Sequence, residues 1–438
     1  MKIAIFHLGF FYSGGGEKLV LEEMRGLRLL GHDVDCFAPY VDRERCFPDI
    51  PEMREIRPLL PPPPKWLPMK DPLWVTLCCL VVPFLSFRFK TYDVLLGANQ
   101  PGPWFAFVLS RILHKPYVVY LAQALRLLHP RPIDLENGIR IREGDHRFLM
   151  ALKRISGSLI GWADEVSTRR ANLVLTNGEH VANWIREVYG VESQVCPVGC
   201  HPIPTTELDY GRRWNGEVWI DKHRISKPFI LLTNRHSPMK RFEYALWALK
   251  MIQRSAPQVS LVITGQETEY TDQLRYLVRG MMIEPKVHFV GLVPEKELSR
   301  LYREAAVYVY PSPEEDFGMG IVEAMAAGTP VVAWRNGGPT VTVVDKETGY
   351  LIEPYDTDAF AERLLQLVTS APLVEQLGRS GHIRAQRLFS YARHNELLEW
   401  ALRVAVESSP LAQPVEGLVP ELAPEAIRAI HQEIDQGV

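Results

Sequence analysis

Cysteine is scarce and scattered. Cys36, Cys46, Cys78, Cys79, Cys196 and Cys200 are the only thiols in 438 residues, and they form neither a disulfide framework nor a C-x-x-C couple. Reduced, buried thiols are expected, and with them a cytoplasmic location. Cys196, Cys200 and His201 cluster, but a structural zinc site asks for a fourth ligand, so no metal is expected there. Charge of one sign is also missing. With 49 basic against 52 acidic residues the net charge is −3, without the basic excess of a nucleic-acid binder. No apolar run approaches the roughly 18 residues of a membrane-spanning helix. The nearest, residues 73–87, is interrupted by Pro83. The opening Met1-Lys2-Ile3-Ala4-Ile5-Phe6 enters a strand at once and lacks the cationic start and small-residue cleavage site of a secretory signal. The dinucleotide pattern G-x-G-x-x-G is absent as well, because Gly14-Gly15-Gly16 is followed by Glu17, Lys18 and Leu19. Asp33-Val34-Asp35 resembles a metal-binding Asp-x-Asp pair but runs into a strand, so it is not taken as one.

What is present fits two α/β domains. The length exceeds what one hydrophobic core usually supports, and 47% hydrophobic residues supply two. Short apolar runs at residues 3–6, 34–37, 94–96, 117–121 and 173–176 read as strands, and a helical repeat spans residues 17–30. A second series has strands at 229–233, 259–264, 287–290, 307–310 and 331–333, with helices at 243–253, 295–305, 321–327 and 357–368 between them. This rhythm predicts parallel sheets covered on both faces. The expected division is residues 1–205, a linker at 206–227 that is polar and without clear periodicity, a second domain at 228–390, and a helix and tail at 391–438 packing back on the first domain. Four prolines at 61–64 break the pattern. The segment 65–90 combines Trp66, Trp74 and Phe84 with Lys65, Lys70, Arg88 and Lys90. It reads first as a helix packed on the first domain, and second as a peripheral membrane contact.

Chemistry concentrates after the strands. In Pro311-Ser312-Pro313-Glu314-Glu315-Asp316-Phe317-Gly318-Met319-Gly320-Ile321-Val322-Glu323, a strand ends and a helix begins. Gly318 and Gly320 keep the loop slim, and a helix N-terminus favours a phosphate. Glu315 and Glu323 would repel that phosphate but suit sugar hydroxyls, so the pair fits a sugar nucleotide better than a bare phosphate. An acidic loop beside a solvated helix face is the bland alternative. Arg235 and Lys240, in the loop after the 229–233 strand, suit a diphosphate, the one as a fork and the other as a point charge. Gly15 and Gly16 can present amides to a phosphate across the cleft, where a plain tight turn is the alternative. Gln123 closes the 117–121 strand and can hydrogen-bond but not act as a base.

The E-x7-E spacing of Glu315 and Glu323, with Ala327-Gly328-Thr329-Pro330-Val331-Val332 after it, resembles glycosyltransferase family 4, retaining enzymes of the two-Rossmann GT-B fold. The resemblance is strong over residues 229–354 and looser before; it leaves out 48–90 and the end of the chain. It implies two doubly wound domains facing each other across a cleft. It places Glu315 at the donor sugar, Glu323 at the ribose, and Arg235 and Lys240 at the pyrophosphate. Phe317, Gly318 and Met319 would lie along the donor, with Gly265 beside the nucleotide and Leu292 in the turn that reads the base. Departures are Gln123 where relatives carry histidine, Arg241 where glycine is usual, and Val341 where a glutamate often follows Gly337-Gly338. The implied reaction is metal-independent, retaining hexosyl transfer from a nucleotide-diphosphate sugar to a glycan or lipid-linked acceptor, with no further cofactor and no nucleic acid. Gly-Gly-Gly-Glu-Lys, Met-Lys-Arg and the Glu315–Glu323 segment resemble lipid-linked mannosyltransferases most, which favours GDP-mannose. UDP-sugar-dependent glucosyl or GlcNAc transfer, a non-hydrolysing sugar-nucleotide epimerase and an inactive nucleotide-binding scaffold are the alternatives.

Overall fold

The computed structural model describes residues 1–48, 50–64, 70–136, 147–201 and 203–407. The first half comprises β1 (Lys2–His7), α1 (Gly15–Leu29), β2 (Asp33–Ala38), β3 (Arg57–Pro58), α2 (Lys70–Val81), β4 (Val94–Ala98), α3 (Gly102–Leu113) and β5 (Tyr117–Leu121). It continues with α4 (Pro132–Glu136), α5 (Arg147–Arg169), β6 (Leu173–Thr176), α6 (Glu179–Tyr189) and β7 (Gln194–Val195). A hairpin follows, β8 (Glu217–Ile220) and β9 (His223–Ser226). The second half is β10 (Phe229–Thr233), α7 (Glu243–Ile252), β11 (Ser260–Thr264), α8 (Glu269–Gly280), β12 (Val287–Gly291), α9 (Glu295–Glu304) and β13 (Val307–Tyr310). After these come α10 (Met319–Ala326), β14 (Val331–Trp334), α11 (Pro339–Thr342), β15 (Gly349–Ile352), α12 (Thr357–Val368), α13 (Ala371–Leu388) and α14 (Tyr391–Glu407).

The sheet orders are β3-β2-β1-β4-β5-β6-β7 and β12-β11-β10-β13-β14-β15. All pairings within them are parallel. In both, the chain winds one way from the first strand and then returns to lay the fourth on its other side. The loops after β1 and β10 therefore diverge from those after β4 and β13, which opens a crevice at the carboxyl ends of the strands. The inner strands β4, β5, β11, β13 and β14 are buried on both faces, which explains their unbroken apolar runs. The runs expected at 117–121, 173–176, 229–233 and 307–310 coincide with β5, β6, β10 and β13.

The polar stretch 206–227 forms more structure than expected of it. Val218, Ile220 and Ile225 point inward from the antiparallel β8–β9 pair while Trp219 and Arg224 point out, a period-two alternation that the polar residues obscure. Before the hairpin lies Arg213, 1% exposed. Its guanidinium donates to the carbonyls of Tyr302 at 3.3 Å, Ala327 at 2.8 Å and Gly328 at 3.1 Å, to Thr329 Oγ1 at 2.6 Å, and to the carbonyl of Ala305. Burial pulls its pKa down to about 10, still high enough to keep it charged. It fastens this stretch to the second half.

Within segment 65–90, Trp66 and Lys65 lie outside the described residues, as do Pro202 and the proline-bearing tail 408–438. The rest is α2 followed by a 3-10 run, Val82–Phe89, which buries Cys78, Val82 and Phe89 against the first half. On the opposite side Leu80, Phe84 and Phe87 are 66%, 79% and 65% exposed. No helix among the described residues is long and apolar enough to cross a membrane. Helix α14 returns to the first half. Leu398 and Leu402 share an apolar cluster with Leu19 and Met24 of α1, and His394 meets Glu23 at 3.3 Å and Cys196 Sγ at 3.4 Å.

Arg213→Met leaves several buried carbonyls without a donor. It is expected to cost about 3 kcal/mol, a fall in Tm on the order of 6–12 °C for a unit of this size. Thermal unfolding monitored by circular dichroism measures it, and an unchanged Tm would show that Arg213 does not anchor the stretch.

Candidate active site

The loops after β1, β5, β10, β11, β12 and β13 each bear a residue named above. Arg235 follows β10 in a loop that His236 pins from below. Its buried ring packs between Phe242 and Phe289, and Nδ1 meets Thr271 Oγ1 at 2.9 Å. Burial lowers the His236 pKa to about 4, so the ring is a neutral anchor. Gly265 is required beneath the same loop, since a Cβ there would sit 1.8 Å from the Asn234 carbonyl oxygen. Arg235 itself is exposed and lies over the Tyr12 ring of the other half at 5.8 Å.

Glu315 sits in the β13–α10 loop. Its Oε2 accepts from Lys240 Nζ at 2.5 Å and from the Tyr310 hydroxyl at 2.7 Å. Its backbone carbonyl accepts from Gly338 N at 2.7 Å. A Cβ on Gly337 would lie 2.3 Å from that carbonyl oxygen, and one on Gly338 would lie 2.3 Å from Phe317 Cα. The Gly-Gly pair is therefore a matter of close approach. Burial raises the Glu315 pKa, but Lys240 and Tyr310 outweigh it and hold the carboxyl at about 2.

Glu323 lies one turn into α10. Its Oε1 accepts from Lys18 Nζ at 3.0 Å and its Oε2 from the Tyr302 hydroxyl at 3.0 Å. Lys18 comes from α1 of the first half and also meets Glu295 at 3.0 Å. Burial would lower its pKa, yet Glu323 and Glu295 raise it overall and keep the ammonium charged. Thr233 Oγ1 joins the hydroxyls of Tyr302 and Tyr308, each at 2.9 Å, and Asn234 Nδ2 donates to the Tyr310 hydroxyl at 3.2 Å. Burial and the neighbouring carboxylates raise the pKa of Tyr302 and Tyr310, so both remain donors.

The amino ends of α1 and α10 meet across the crevice. A Cβ on Gly15 would stand 2.7 Å from the Met319 sulfur, and Gly16 faces Asn99 and His7. Gly318 caps α10 at φ +87°, a left-handed conformation that suits glycine. The structure thus brings Arg235, Lys240, Glu315, Gly318, Met319, Glu323, Gly15 and Gly16 around one crevice. Phe317 belongs to the core instead: its ring is 3% exposed and packs on Phe389, so only its backbone is free for a ligand. Leu292 is 72% exposed in the turn after β12, and Gln123 is half-buried at the end of β5. Of the cysteines considered for a metal, Cys196 faces His394 and Cys200 donates to the Phe389 carbonyl, while His201 meets Glu22 at 3.2 Å.

Sequence reasoning missed Lys18, Tyr302 and Tyr310 as site residues. Lys18 has a sequence signal, a cation immediately beyond a glycine loop. The tyrosines have none, because aromatic residues in an apolar run read as core.

The family models match in two pieces, "Glycosyltransferase Family 4" over residues 13–205 and "Glycosyl transferases group 1" over 217–384. The chain is 25% identical over 402 residues to the alpha-1,3/1,6-mannosyltransferase ALG2 of Mus musculus, covering 86% of this chain and 90% of that one. It is 27% identical over 381 residues to a D-inositol 3-phosphate glycosyltransferase of Acidothermus cellulolyticus, covering 81% and 78%. Among solved structures, sucrose-phosphate synthase of Thermosynechococcus elongatus superposes with a TM-score of 0.72 at 20% identity, covering 92% of this chain and 98% of that one. HepE of Anabaena in complex with UDP superposes at 0.68 and 17%, covering 92% and 100%.

Lys240→Ala removes the charge that holds Glu315 ionised. Turnover is expected to fall by about 10²–10³, as when a transition-state charge partner is lost. The Glu315 carboxyl then rises from about 2 through the ordinary carboxylate range, adding an acid limb to the rate profile that the parent lacks. The stability contributed by this pair is present above the unfolded carboxylate pKa and is lost only as pH falls through about 2. A pH–rate series on both proteins checks this, and an acid limb shared by parent and variant would remove the assignment. With two matching family models, relatives along most of its length and this crevice, the chain belongs to glycosyltransferase family 4, as a GT-B enzyme that draws on a nucleotide sugar.

Proposed function

We propose that the chain transfers a hexose, with retention and without a metal, from GDP-mannose to a glycan or lipid-linked acceptor. The observation that carries the reading is the Glu315–Lys240 pair at the mouth of α10, facing Gly15 and Gly16. Arg235, Lys240 and the first amides of α10 take the diphosphate, Glu315 takes sugar hydroxyls and Glu323 takes ribose hydroxyls. As the bond from the anomeric carbon to the phosphate oxygen breaks, the acceptor oxygen bonds to that carbon on the same face. The acceptor proton passes to the departing phosphate. Two cations and a helix dipole supply the neutralisation a metal would otherwise give. Gln123 lies on the acceptor side and can bind a hydroxyl without abstracting its proton.

Mannose is favoured because the relative that aligns over 86% of the chain is named a mannosyltransferase. A UDP-sugar is the second reading. The turn at Leu292 offers exposed leucine and backbone rather than a side chain that selects a base. The boundaries 1–205 and 228–390 serve as acceptor and donor halves in this scheme, with α14 (Tyr391–Glu407) tied back to the acceptor half. A thermal-shift panel of GDP, UDP and ADP with their sugar nucleotides, each with and without EDTA, tests the donor. At a hundredfold excess over Kd a ligand of the folded state adds about 2.7 kcal/mol. GDP and GDP-mannose are expected to stabilise equally with and without EDTA. Preference for UDP moves the donor, and silence from every nucleotide removes the reading.

The strip of Leu80, Phe84 and Phe87, bordered by exposed Arg88 and Lys90, supports a peripheral contact with an anionic membrane that brings a lipid-linked acceptor to the cleft. Phe84→Ser with Phe87→Ser is expected to reduce co-sedimentation with phosphatidylserine vesicles about tenfold or more. Equal sedimentation of parent and variant would remove the contact.

A further inference from the structure

The residues on either side of Glu315 are held by the opposite half of the molecule. Arg131 Nη1 donates to the Glu314 carbonyl at 2.5 Å and to Asp316 Oδ1 at 3.3 Å. Ile133 N donates to Glu314 Oε2 at 3.1 Å, and Arg126 pairs with Asp316 Oδ2. Arg131 is itself fixed. Its Nε and Nη2 grip Asp134 Oδ2 and Oδ1 at 3.1 and 3.2 Å, and its backbone N reaches Oδ2 at 3.0 Å. Asp134 is fully buried, and although burial raises its pKa, Arg131 and Arg126 bring it below the ordinary range. The order of restraint is Asp134, then Arg131, then the peptide and side chains flanking Glu315.

We propose that Arg131, set by Asp134 and joined by Arg126, is a positioning residue that clamps the Glu315 loop from the other half, so that the sugar-facing carboxylate reaches its working geometry only when the halves are together. The inference rests on the reading of Glu315 as the donor-sugar residue. Plain adhesion between halves could use any pair of surfaces. Here the grip falls on the residue immediately before Glu315 and the one immediately after, and it includes the carbonyl that orients the 314–315 peptide plane. From their own half, Lys240, Tyr310 and Gly338 hold the same residue. Removing the opposing grip frees the loop to shift, and misplacement by about 1 Å can cost on the order of 10²-fold in rate.

The test is a set of variants read in three ways: Arg131→Ala, Arg131→Lys, and a cycle of Arg126→Ala, Asp316→Ala and the double variant. Amide exchange in peptides spanning 314–318 is expected to quicken about tenfold or more in Arg131→Ala, while peptides spanning 235–240 are unchanged. Turnover, scored by release of GDP from GDP-mannose or UDP from UDP-glucose, should fall about 10–100-fold in kcat. The affinity for GDP or UDP alone should stay within about twofold, because Arg131 touches none of the residues assigned to the nucleotide: Arg235, Lys240, Glu323, Gly15 and Gly16. Arg131→Lys keeps the charge without the fork and should recover only part of the loss. In the cycle the double variant should be no slower than Asp316→Ala, which already removes the Arg126 contact together with one from Arg131. Should Arg131→Ala not fold, the cycle carries the test alone. Unchanged exchange, unchanged kcat or multiplicative losses in the cycle would overturn the clamp. If Glu315→Gln is inactive while the clamp variants match the parent, only the clamp fails. If Glu315→Gln turns over normally, the reading of Glu315 fails and the clamp with it.

Discussion

A carboxylate beside a diphosphate is repelled unless a cation stands between them, and the crevice is organised around that constraint. Lys240 lies 2.5 Å from Glu315, and Lys18 lies 3.0 Å from Glu323. In the proposed reading each lysine lets an acidic group that would bind hydroxyls share a cleft with phosphate. The rest of the local structure keeps these pairs in place. The Tyr302 hydroxyl donates to the second oxygen of Glu323 and Tyr310 to the same oxygen of Glu315 that Lys240 holds, Gly337 and Gly338 admit the Glu315 backbone, and His236 seats the arginine loop. Replacing any of these elements with an ordinary surface residue would leave the charges present but no longer aimed.

The departures from the family pattern acquire physical meaning in this setting. Arg241 adopts φ +50°, the left-handed conformation that explains why glycine is usual there. That backbone conformation costs about 1–2 kcal/mol in a non-glycine residue. Arg241 pairs with Glu136 of the first half and reaches Glu243 at 3.7 Å. A residue chosen for backbone freedom has become a link between halves. Val341 faces the first half as well, since a Cβ on Gly178 would lie 3.5 Å from its Cγ1. Where a glutamate would place a negative charge, this chain places an apolar contact.

How much of this is readable in the sequence depends on range. Strands buried on both faces carry unbroken apolar runs, so β5, β6, β10 and β13 are legible to the residue. The loops that end them are legible too, because glycines and charges interrupt the runs, and Arg235, Lys240, Glu315 and Glu323 could be named at once. The β8–β9 hairpin was hidden by Trp219 and Arg224 on its outer face, which made an alternating pattern look merely polar. Phe317 stood among binding residues by position, yet its ring belongs to the core. Tyr302 and Tyr310 read as apolar filling, since a hydroxyl's direction is set by packing and not by spacing. Arg131 and Asp134 are three residues apart in sequence, but their target lies about 180 residues away, and no local pattern records that distance.

The halves are joined in two physically different ways. Helix α14 is bound to the first half through an apolar cluster in which Leu398 and Leu402 join Leu19 and Met24, an attachment of the kind that holds a core together. Across the crevice the contacts are ionic or light: Lys18 with Glu323 and Glu295, Arg126 and Arg131 with Asp316, Arg241 with Glu136, and Arg235 over Tyr12. Several of these pairs are largely buried, with Asp316 9% and Arg131 12% exposed, and the desolvation of such charges offsets much of what their attraction gains. Such a surface can part and re-form without unfolding either half. An enzyme that must admit a nucleotide sugar, exclude water while a glycosidic bond is made and then release a diphosphate needs that combination of a permanent tether and a reversible seam. The seam's charges sit beside Glu315 and Glu323, so under the proposed reading of those carboxylates closure and alignment of the site are one event.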